Sequence, residues 1–419
     1  MKKYSLIVLV FTVFFSLMSM TALAETDAER LDRLEIEIKE LKKKQTTTEN
    51  VLSKTESILS KAESVWTKYN MRLYGRIKFD LNYDTSEFKK YNDFIGVVKE
   101  DASNDSVNFN PRDTRFGFET SHTDGDWIAN GRFEIDFYGT NAGNNLIPRM
   151  RVGYIDLANN SSGTSLRAGQ DWIPVAQQNP ATIDFGVLSA AGNVWWRLPQ
   201  VTLRQKLGDV ELLLSAMKHR REDTEEEERM PWALGRVAYN FGDGNLAALG
   251  GGYRTGEYIY DGGTGVGTVH TGKDIDRWLA ALELKLNLGP VLLKAEGFWG
   301  EALGKDFLRY DMDVNDSDPN NPKEIEAIGG FISLTANAAD DITVSAGYGI
   351  DDPRNDDMKT MRGDLNDRQF TRNSIAFLNT WYKVTKGVKV GAEIMYVETE
   401  RFSSTDAGMR YTLSTFYNF

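Results

Sequence analysis

The sequence contains no cysteine among its 419 residues, three histidines and only 10 prolines. The lack of cysteine excludes disulfide frameworks, thiolate metal sites and cysteine nucleophiles. His122, His219 and His270 leave little for histidine-based metal or acid–base chemistry. Beyond the first 24 residues, no stretch approaches the roughly 18–20 apolar residues that a membrane-spanning helix requires. These absences exclude an α-helical membrane protein and a disulfide-bonded scaffold.

An excess of basic residues is also lacking. The 49 lysines and arginines are outnumbered by 61 aspartates and glutamates, which gives a net charge of −12. Neutralising nucleic-acid phosphates requires a basic surface, so we expect no nucleic-acid partner. The length alone permits two or three soluble domains or one large barrel.

The first 24 residues have the pattern of a secretory signal peptide. A basic start at Lys2 and Lys3 precedes an apolar run over residues 6–17, and small residues at 22–24 suit a signal peptidase. A retained membrane anchor is the alternative, but the apolar run is short. We therefore predict a mature chain that begins at Glu25 and has left the cytoplasm.

Residues 25–68 are predicted to form a helix with a heptad repeat. Apolar residues dominate both ends of the seam and polar residues its middle, with glutamate and lysine on the flanks. Such a seam needs partner helices and predicts a homo-oligomer; a single solvated helix or linker is the alternative. The two sets of seam positions are Leu31, Ile38, Gln45, Leu52, Leu59, Trp66 and Leu34, Leu41, Thr48, Thr55, Ala62.

Residues 69–419 alternate between apolar and polar side chains. In the segment 71–83 an apolar face opposes Arg72, Arg76 and Lys78, and its 13 residues exceed the usual soluble strand. The pattern predicts an all-β transmembrane barrel of 16 antiparallel strands; a soluble β-sandwich is the alternative. Predicted strands start near residues 71, 114, 127, 149, 164, 194, 209, 232, 245, 276, 290, 326, 341, 370, 387 and 408.

The connections between these strands alternate between tight turns and long polar loops such as 84–113 and 301–325. Short periplasmic turns opposite long outer loops are typical of outer-membrane barrels. The chain ends on Phe419 in an alternating strand, which resembles the signal read by the outer-membrane insertion machinery. Together these features predict the bacterial outer membrane as the location, with the coiled coil in the periplasm.

Basic residues on the strands are predicted to face the barrel interior, since an arginine or lysine facing mid-bilayer lipid costs about 2–4 kcal/mol. On the first five strands eight inward bases face five inward acids, while later strands are nearly balanced. The predicted solute path is lined by Arg72, Arg76, Lys78, Arg115, Arg132, Arg149, Arg151 and Arg167.

The outer loop over residues 172–193 is unusually poor in charge. Asp184 is its only charged residue from 173 onward, beside Gln177, Gln178 and Asn179. A loop this apolar is not expected to extend into solvent, so we predict that it folds into the barrel and narrows it opposite the basic wall. A loop packed on the rim or at a subunit contact is the alternative.

Several segments resemble trimeric outer-membrane porins, and the DcaP-like group in particular. They are Leu73–Arg76, Arg115–Glu119, Phe133–Gly139 and Ala168–Trp172. The resemblance covers nearly all of the mature chain. It implies a homotrimer without cofactor that passes small hydrophilic solutes and favours anions such as dicarboxylates. A phosphate-selective porin is the nearest alternative, although this sequence has a dispersed ladder of bases and not a tight cluster.

Two other classes of function remain open at this point. An outer-membrane barrel enzyme would need a histidine paired with serine or aspartate at the membrane rim, and no histidine has such a motif beside it. A structural tether would connect the membrane to the cell wall through the coil, but residues 25–30 leave no room for a wall-binding domain before it. Lipid, and lipopolysaccharide bridged by divalent cations at the acidic loops, complete the expected partners.

Overall fold

The computed structural model describes residues 27–91, 94–101, 104–139, 146–220, 230–261, 268–308, 313–318, 320–359 and 370–419. The expected signal peptide over residues 1–24 therefore lies outside the described residues. The chain divides into two compact units, Met1–Thr67 and Lys68–Phe419.

The first unit holds one long helix, α1 (Asp27–Lys68). It is rich in leucine, glutamate and lysine, which favour helices, and acidic side chains in its first turn suit the positive end of the helix dipole. Leucines and isoleucines of the predicted seam are exposed along its length. In its middle, Thr46, Thr47 and Thr48 each donate a hydrogen bond to the carbonyl four residues earlier, at 2.9 Å.

The second unit is built from strands and a single turn of helix, α2 (Asn355–Met358). Among the described residues neither helix has the length and apolarity needed to cross a membrane. The strands are β1 (Arg72–Asp84), β2 (Phe88–Tyr91), β3 (Phe94–Val98), β4 (Ser106–Asn110), β5 (Arg115–Asp124), β6 (Trp127–Asp136), β7 (Arg149–Asn159), β8 (Thr164–Trp172), β9 (Arg197–Leu207), β10 (Val210–Met217), β11 (Trp232–Phe241), β12 (Asn245–Asp261), β13 (Thr268–Leu288), β14 (Val291–Glu301), β15 (Val314–Asn315), β16 (Lys323–Glu324), β17 (Glu326–Asn337), β18 (Ile342–Pro353), β19 (Arg372–Lys383), β20 (Val388–Glu400) and β21 (Thr405–Asn418).

The sheet closes on itself. Each wall strand pairs antiparallel with its neighbours, and β1 pairs with β21 on one side and with both β4 and β5 on the other. Since β4 and β5 form one wall strand interrupted at 111–114, and β2, β3, β15 and β16 lie outside the wall, the barrel has 16 wall strands. The predicted fold, a closed 16-stranded barrel preceded by a helix, is confirmed.

Side chains alternate along the wall as a membrane barrel requires. On β1, Leu73, Ile77 and Phe79 are exposed on the outer face, while Lys78 and Asp80 are buried on the inner face. A soluble protein would show the reverse, so this alternation identifies the outer surface as the one that faces lipid.

Short connections lie at one end of the barrel and long ones at the other. Glycines with positive φ make the tight turns, for example Gly208 (φ 63°) between β9 and β10 and Gly289 (φ 70°) between β13 and β14. Such backbone favours glycine because it has no Cβ. At the other end, the connection between β8 and β9, residues 173–196, is the predicted inward loop, and we call it the third loop.

Some strand boundaries differ from those predicted. The second wall strand begins at Ser106 and not near 114, the tenth at Thr268 and not near 276, and the sixteenth at Thr405 and not near 408. These extensions lie at the long-loop ends, where a strand that has left the bilayer needs no apolar face. The expectation of a polar loop over 84–113 was wrong in part, because it contains the hairpin β2–β3, and β3 is buried along its whole length.

Among the described residues the largest buried apolar cluster lies on one side of the barrel. Inward residues of β10–β17 pack against apolar residues that the long connections bring into the barrel. We call this region the packed half. Its members include Met217, Trp232, Leu234, Leu279, Phe298 and Ala327 of the wall and Ile173, Val175, Leu303, Phe307 and Leu308 of the connections.

Candidate functional site inside the barrel

The eight basic residues predicted to line the interior lie on the inner face of the neighbouring strands β1 and β5–β8. We call them the cation wall. Each is paired with a carboxylate: Arg72 with Glu119 (2.5 Å), Arg76 with Asp113, Lys78 with Asp80 (2.8 Å), Arg115 with Asp113 (2.8 Å), Arg132 with Glu134 (3.4 Å), Arg149 with Asp136 (2.8 Å), Arg151 with Glu134 (2.6 Å) and Arg167 with Asp171 (2.6 Å).

Burial divides the cation wall into two groups. The side chains of Lys78 and Arg151 are only 4% and 2% exposed. The other six are partly or largely exposed, Arg132 at 36% and Arg72 most of all. Lys78 and Arg151 are enclosed by protein and act mainly on their carboxylate partners. The six exposed side chains present the positive charge of the cation wall to the solvent inside the barrel.

The third loop crosses the barrel and is held by acids on the far side. The backbone N–H groups of Ile183 and Asp184 donate to the carboxylate of Glu393 on β20, at 2.7 and 2.8 Å. The N–H of Val194 donates to Glu296 on β14, at 3.2 Å. Because these glutamates are buried beneath the loop, their charge is used to bind its backbone.

The turn at residues 183 and 184 is also bound by side chains of β1 and β21. Lys78 Nζ donates to the carbonyl of Ile183 at 2.7 Å. Arg410 on β21, fully buried, links the carboxylates of Asp84 (2.7 Å) and Asp184 (2.9 Å). Burial raises the pKa of Asp184 above its ordinary value, and Arg410 acts in the opposite direction. The centre of the loop is thus fixed to three neighbouring strands, β20, β21 and β1.

Close packing of the loop on the wall depends on glycine. A Cβ at Gly349 on β18 would collide with the carbonyl of Ala191 in the loop, and a Cβ at Gly192 in the loop would collide with the backbone of Gly330 on β17. Val187 and Leu188 in the loop have positive φ, 44° and 60°. A β-branched residue rarely adopts that conformation, which marks the loop as strained next to the open interior.

The four loop residues predicted at the constriction differ in what they face. Gln177 and Asn179 line open space facing the cation wall. Gln178 is buried and donates to Glu283 on β13 at 3.3 Å. Asp184 is buried against Arg410. Gln177 and Asn179 thus face the open interior, Gln178 holds the loop, and Asp184 both holds the loop and lines open space.

The open interior lies between the third loop and the cation wall. It consists of three adjoining spaces of about 300, 310 and 310 Å³. The first, at the short-turn end, shares Arg132, Tyr154 and Arg167 with the second. The second shares Trp172, Asn179 and Trp195 with the third, which lies against residues 182–187 of the loop. Because neighbouring spaces share these residues, the three lie in series along the wall, and we call them together the path.

Basic side chains outnumber acidic side chains along this path. Eight bases and five acids line the three spaces, a net of three positive charges among the described residues. The bases are Arg72, Arg76, Lys78, Arg115, Arg132, Arg151, Arg167 and Arg204, and the acids are Asp113, Glu119, Asp156, Asp171 and Asp184.

Two details differ from the predicted lining. Arg149 lines none of the three spaces and instead lies over the rings of Tyr138 and Phe185, at 5.4 and 5.8 Å. Arg204 on β9 lines the second space and was not predicted. The signal for it was present, since Arg204 alternates with Thr202 and Gln200 on the same face. Nothing in the sequence indicated which inward side chains the loop would cover.

The described residues contain no group of three or more potential metal-binding His, Asp or Glu side chains. The site is therefore described by its shape and charge: a narrow aqueous path with basic groups and aromatic rings on one side and an anchored loop on the other.

Comparison with known proteins assigns the chain to a family. The sequence profile described as Gram-negative porin matches residues 55–401, most of the chain. No curated protein sequence is significantly similar to this chain.

Solved structures agree in fold. The outer-membrane channel DcaP of Acinetobacter baumannii is 21% identical with a TM-score of 0.71, over 83% of this chain and 97% of that one. The anion-selective porin from Comamonas acidovorans is 13% identical with a TM-score of 0.55, over 83% and 99%. A trimer form of OmpT from Vibrio cholerae is 15% identical with a TM-score of 0.52, over 83% and 99%.

Proposed function

The chain belongs to the Gram-negative porin family, and from this we propose that it is a passive diffusion channel for small hydrophilic solutes that favours anions such as dicarboxylates. Porins are outer-membrane channels and not enzymes, as the sequence indicated. The finer statement, a preference for anions, rests on the charges of the interior path.

The observation that carries the proposal is the net of three positive charges lining the path. The acids Glu283, Glu296 and Glu393, on strands outside the cation wall, are buried, and the third loop lies over them. A solute therefore passes the bases of the wall and is screened from these acids. Positive charge at a constriction favours the entry of anions and repels cations.

The third loop is proposed to set the width of the channel. It is anchored by Glu393, Lys78 and Arg410 on one side and by Glu296 and Glu283 on the other, so it is held in place across the interior. Gln177 and Asn179 are then the loop groups that a solute contacts, while the guanidinium groups of Arg132 and Arg167 contact it from the wall.

Assembly as a homotrimer is proposed from the first unit. The apolar residues at both ends of the seam of α1 are exposed in a single chain, and such residues are stabilised when partner helices cover them. The related OmpT has a structure described as a trimer form. We place the helix in the periplasm, the short turns at the periplasmic end, and the long connections next to lipopolysaccharide. The signal peptide over residues 1–24 is proposed to direct export.

The test is the reversal potential of the reconstituted mature protein in a planar bilayer across a tenfold KCl gradient. Open-channel steps with chloride preferred are expected. A preference for potassium would contradict the role of the cation wall. The absence of steps from a folded barrel would favour the structural tether.

The solute class is tested by replacing chloride on one side with succinate or with phosphate at equal ionic strength. A higher permeability for succinate than for phosphate is expected for a dicarboxylate channel. The opposite order would indicate the phosphate-selective alternative.

The trimer is tested with the double variant Leu41→Ser and Leu52→Ser. It should form fewer trimers on semi-native gels, while Lys54→Ser on the same helix should not.

A further inference from the structure

One buried arginine near the path has no carboxylate partner. Arg197, the first residue of β9, is 8% exposed. Its Nη1 is buried without a hydrogen-bond partner, and in the described part of the chain the guanidinium forms no ion pair. All eight members of the cation wall differ from it, because each is paired. Arg197 is thus a charge that the described protein leaves uncompensated.

The surroundings of Arg197 are aromatic and basic. Its guanidinium lies over the rings of Trp172 and Trp195, at 4.8 and 5.5 Å. Arg151 lies over the same ring of Trp172, at 5.9 Å. Arg149 and the carboxylate of Asp136, both next to Arg151, also act on the charge of Arg197.

Asp136 has no free capacity to compensate Arg197. It accepts from Arg149 Nε at 2.8 Å and from Arg151 Nη1 at 2.7 Å, and its Oδ1 also accepts the N–H of Tyr138 at 3.1 Å. Contacts with the two indoles offset part of the cost of burying the guanidinium, but they do not neutralise it.

An arginine cannot relieve this situation by losing its proton at neutral pH, and a buried charge without a partner is strongly unfavourable. We propose that Arg197 is the centre of an anion-binding site, which takes a small oxyanion carrying a carboxylate or phosphate group. The planar guanidinium can bind two oxygens of such a group at once. Arg149 and Arg151 add positive charge on the neighbouring side.

Access to this site is from the third space of the path. Arg197 itself lines none of the three spaces, but Trp172, Trp195 and Arg151 line the third. The site therefore lies beside the path, behind the two indoles. The oxyanion is either a resident ion that stabilises the barrel or the carboxylate of a solute that pauses there.

Thermal unfolding of the full-length mature protein in detergent tests the site. The variants are Arg197→Met, which removes the charge but keeps the length, and Arg354→Met, an exposed arginine outside the path, as control. Inorganic phosphate and succinate are titrated separately from an oxyanion-free buffer. We expect a saturable rise in the Tm of the wild type and of the control variant with at least one of them, and none for Arg197→Met.

A second test compares the stability of the two proteins in oxyanion-free buffer. There Arg197→Met should be at least as stable as the wild type, because it removes an uncompensated buried charge. A lower Tm of Arg197→Met that no anion changes, or an equal anion-induced rise in Arg197→Met and wild type, would overturn the proposal. If Arg197→Met does not fold, Arg197→Lys is used instead; it is expected to need at least tenfold more anion for half of the rise, and an unchanged requirement would overturn the site.

Channel recording separates the two sources of the oxyanion. A solute that pauses at Arg197 lowers the chloride current in millimolar succinate, and Arg197→Met abolishes that block. A resident ion raises the Tm and leaves the current unchanged. Both results support the site, which rests on Arg197 and not on the anion preference of the channel. A wild type that prefers potassium but keeps the anion-dependent Tm would refute the proposed function alone.

Discussion

Arg132 and Arg236 show how differently two sides of the same barrel use one kind of residue. Both project inward from a wall strand and pair with a glutamate. Arg132, on the side of the cation wall, is 36% exposed to the open path. Arg236, in the packed half, is 2% exposed and binds Glu283 with two hydrogen bonds of 2.7 and 3.0 Å. Arg132 therefore acts on a solute in the path, whereas Arg236 helps to hold the wall and the third loop together.

This difference explains how a chain with a net charge of −12 presents a positive path. The inward acids of β13, β14 and β20 are covered by the third loop, and their carboxylates bind backbone N–H groups, Gln178 or Arg236. The bases of the cation wall are paired as well, but six of them remain open to solvent. The proposed anion preference therefore depends on which charges the loop covers, more than on how many there are.

The largest effect is expected from removing the loop that separates the two sides. Deletion of residues 176–186 should raise single-channel conductance by on the order of twofold, because the narrowest part of the path is lost. It should also shift the reversal potential toward cations, since Glu283 and Glu393 lose the loop groups that cover them. Both quantities are measured in planar bilayers under a KCl gradient.

The control for this deletion is the same deletion with Glu283→Gln and Glu393→Gln. It should keep the high conductance and recover part of the anion preference. An unchanged conductance after deletion would show that the loop does not narrow the channel.

The next effect concerns the charges of the exposed side. The triple variant Arg132→Gln, Arg167→Gln and Arg204→Gln removes three of the eight bases that line the path. It should abolish most of the anion preference in the reversal potential and leave the unfolding midpoint in urea nearly unchanged, because partly exposed pairs contribute little to stability.

Arg236→Gln is the matched variant in the packed half. It leaves Glu283 buried without its guanidinium, so it should lower the free energy of unfolding by about 3–5 kcal/mol. Its reversal potential should equal that of the wild type. A shift as large as that of the triple variant would refute the distinction between the two sides.

The exposed side was the easier one to predict from sequence. Alternation of period two fixes which side chains point inward, and that rule placed Arg76, Arg115, Arg132 and Arg167 correctly on the inner face. It also gave the barrel and its 16 strands, because each strand carries its own signal. The low charge of residues 173–193 was a further local signal, and it indicated an inward loop.

The packed half was missed because its signal is not local. Phe307 and the strand β3 look like members of polar outer loops until the chain closes and brings them inside the barrel. Glu393 and Arg410 differ in no sequence pattern from inward residues that face solvent; only contact with Asp184 distinguishes them. Coverage by a distant loop depends on tertiary structure, and periodicity carries no information about it.

The packed half should respond to loss of volume as well. Phe307→Ala removes a buried ring whose centre lies 4.8 Å from that of Trp232. It should lower the free energy of unfolding by about 3–5 kcal/mol, as large-to-small core changes do. Its ion preference should be unchanged. Leu249→Ala on the outer face is the control, and a loss of equal size there would mean that Phe307 is not in a packed core.

The smallest effect, and the sharpest comparison, is at two neighbours in the third loop. Gln177 lines the second space, whereas Gln178 is buried and donates to Glu283. Gln177→Glu places a negative charge in the path and should weaken the anion preference less than the triple variant does. It should cost only about 1 kcal/mol of stability, because it loses one partly exposed hydrogen bond to the carbonyl of Pro174. Gln178→Glu places a carboxylate beside Glu283 and should cost about 3 kcal/mol of stability, because a buried like charge replaces a hydrogen bond.

Reversal potential and urea unfolding are measured on both variants, so each serves as the control for the other. The division between the two sides requires that one variant changes mainly selectivity and the other mainly stability. Equal behaviour of the two would show that the loop lies across the interior without separating a solute path from a packed half. That outcome would be decisive because Gln177 and Gln178 are adjacent in the chain. The main difference between the two positions is the surface that each side chain faces.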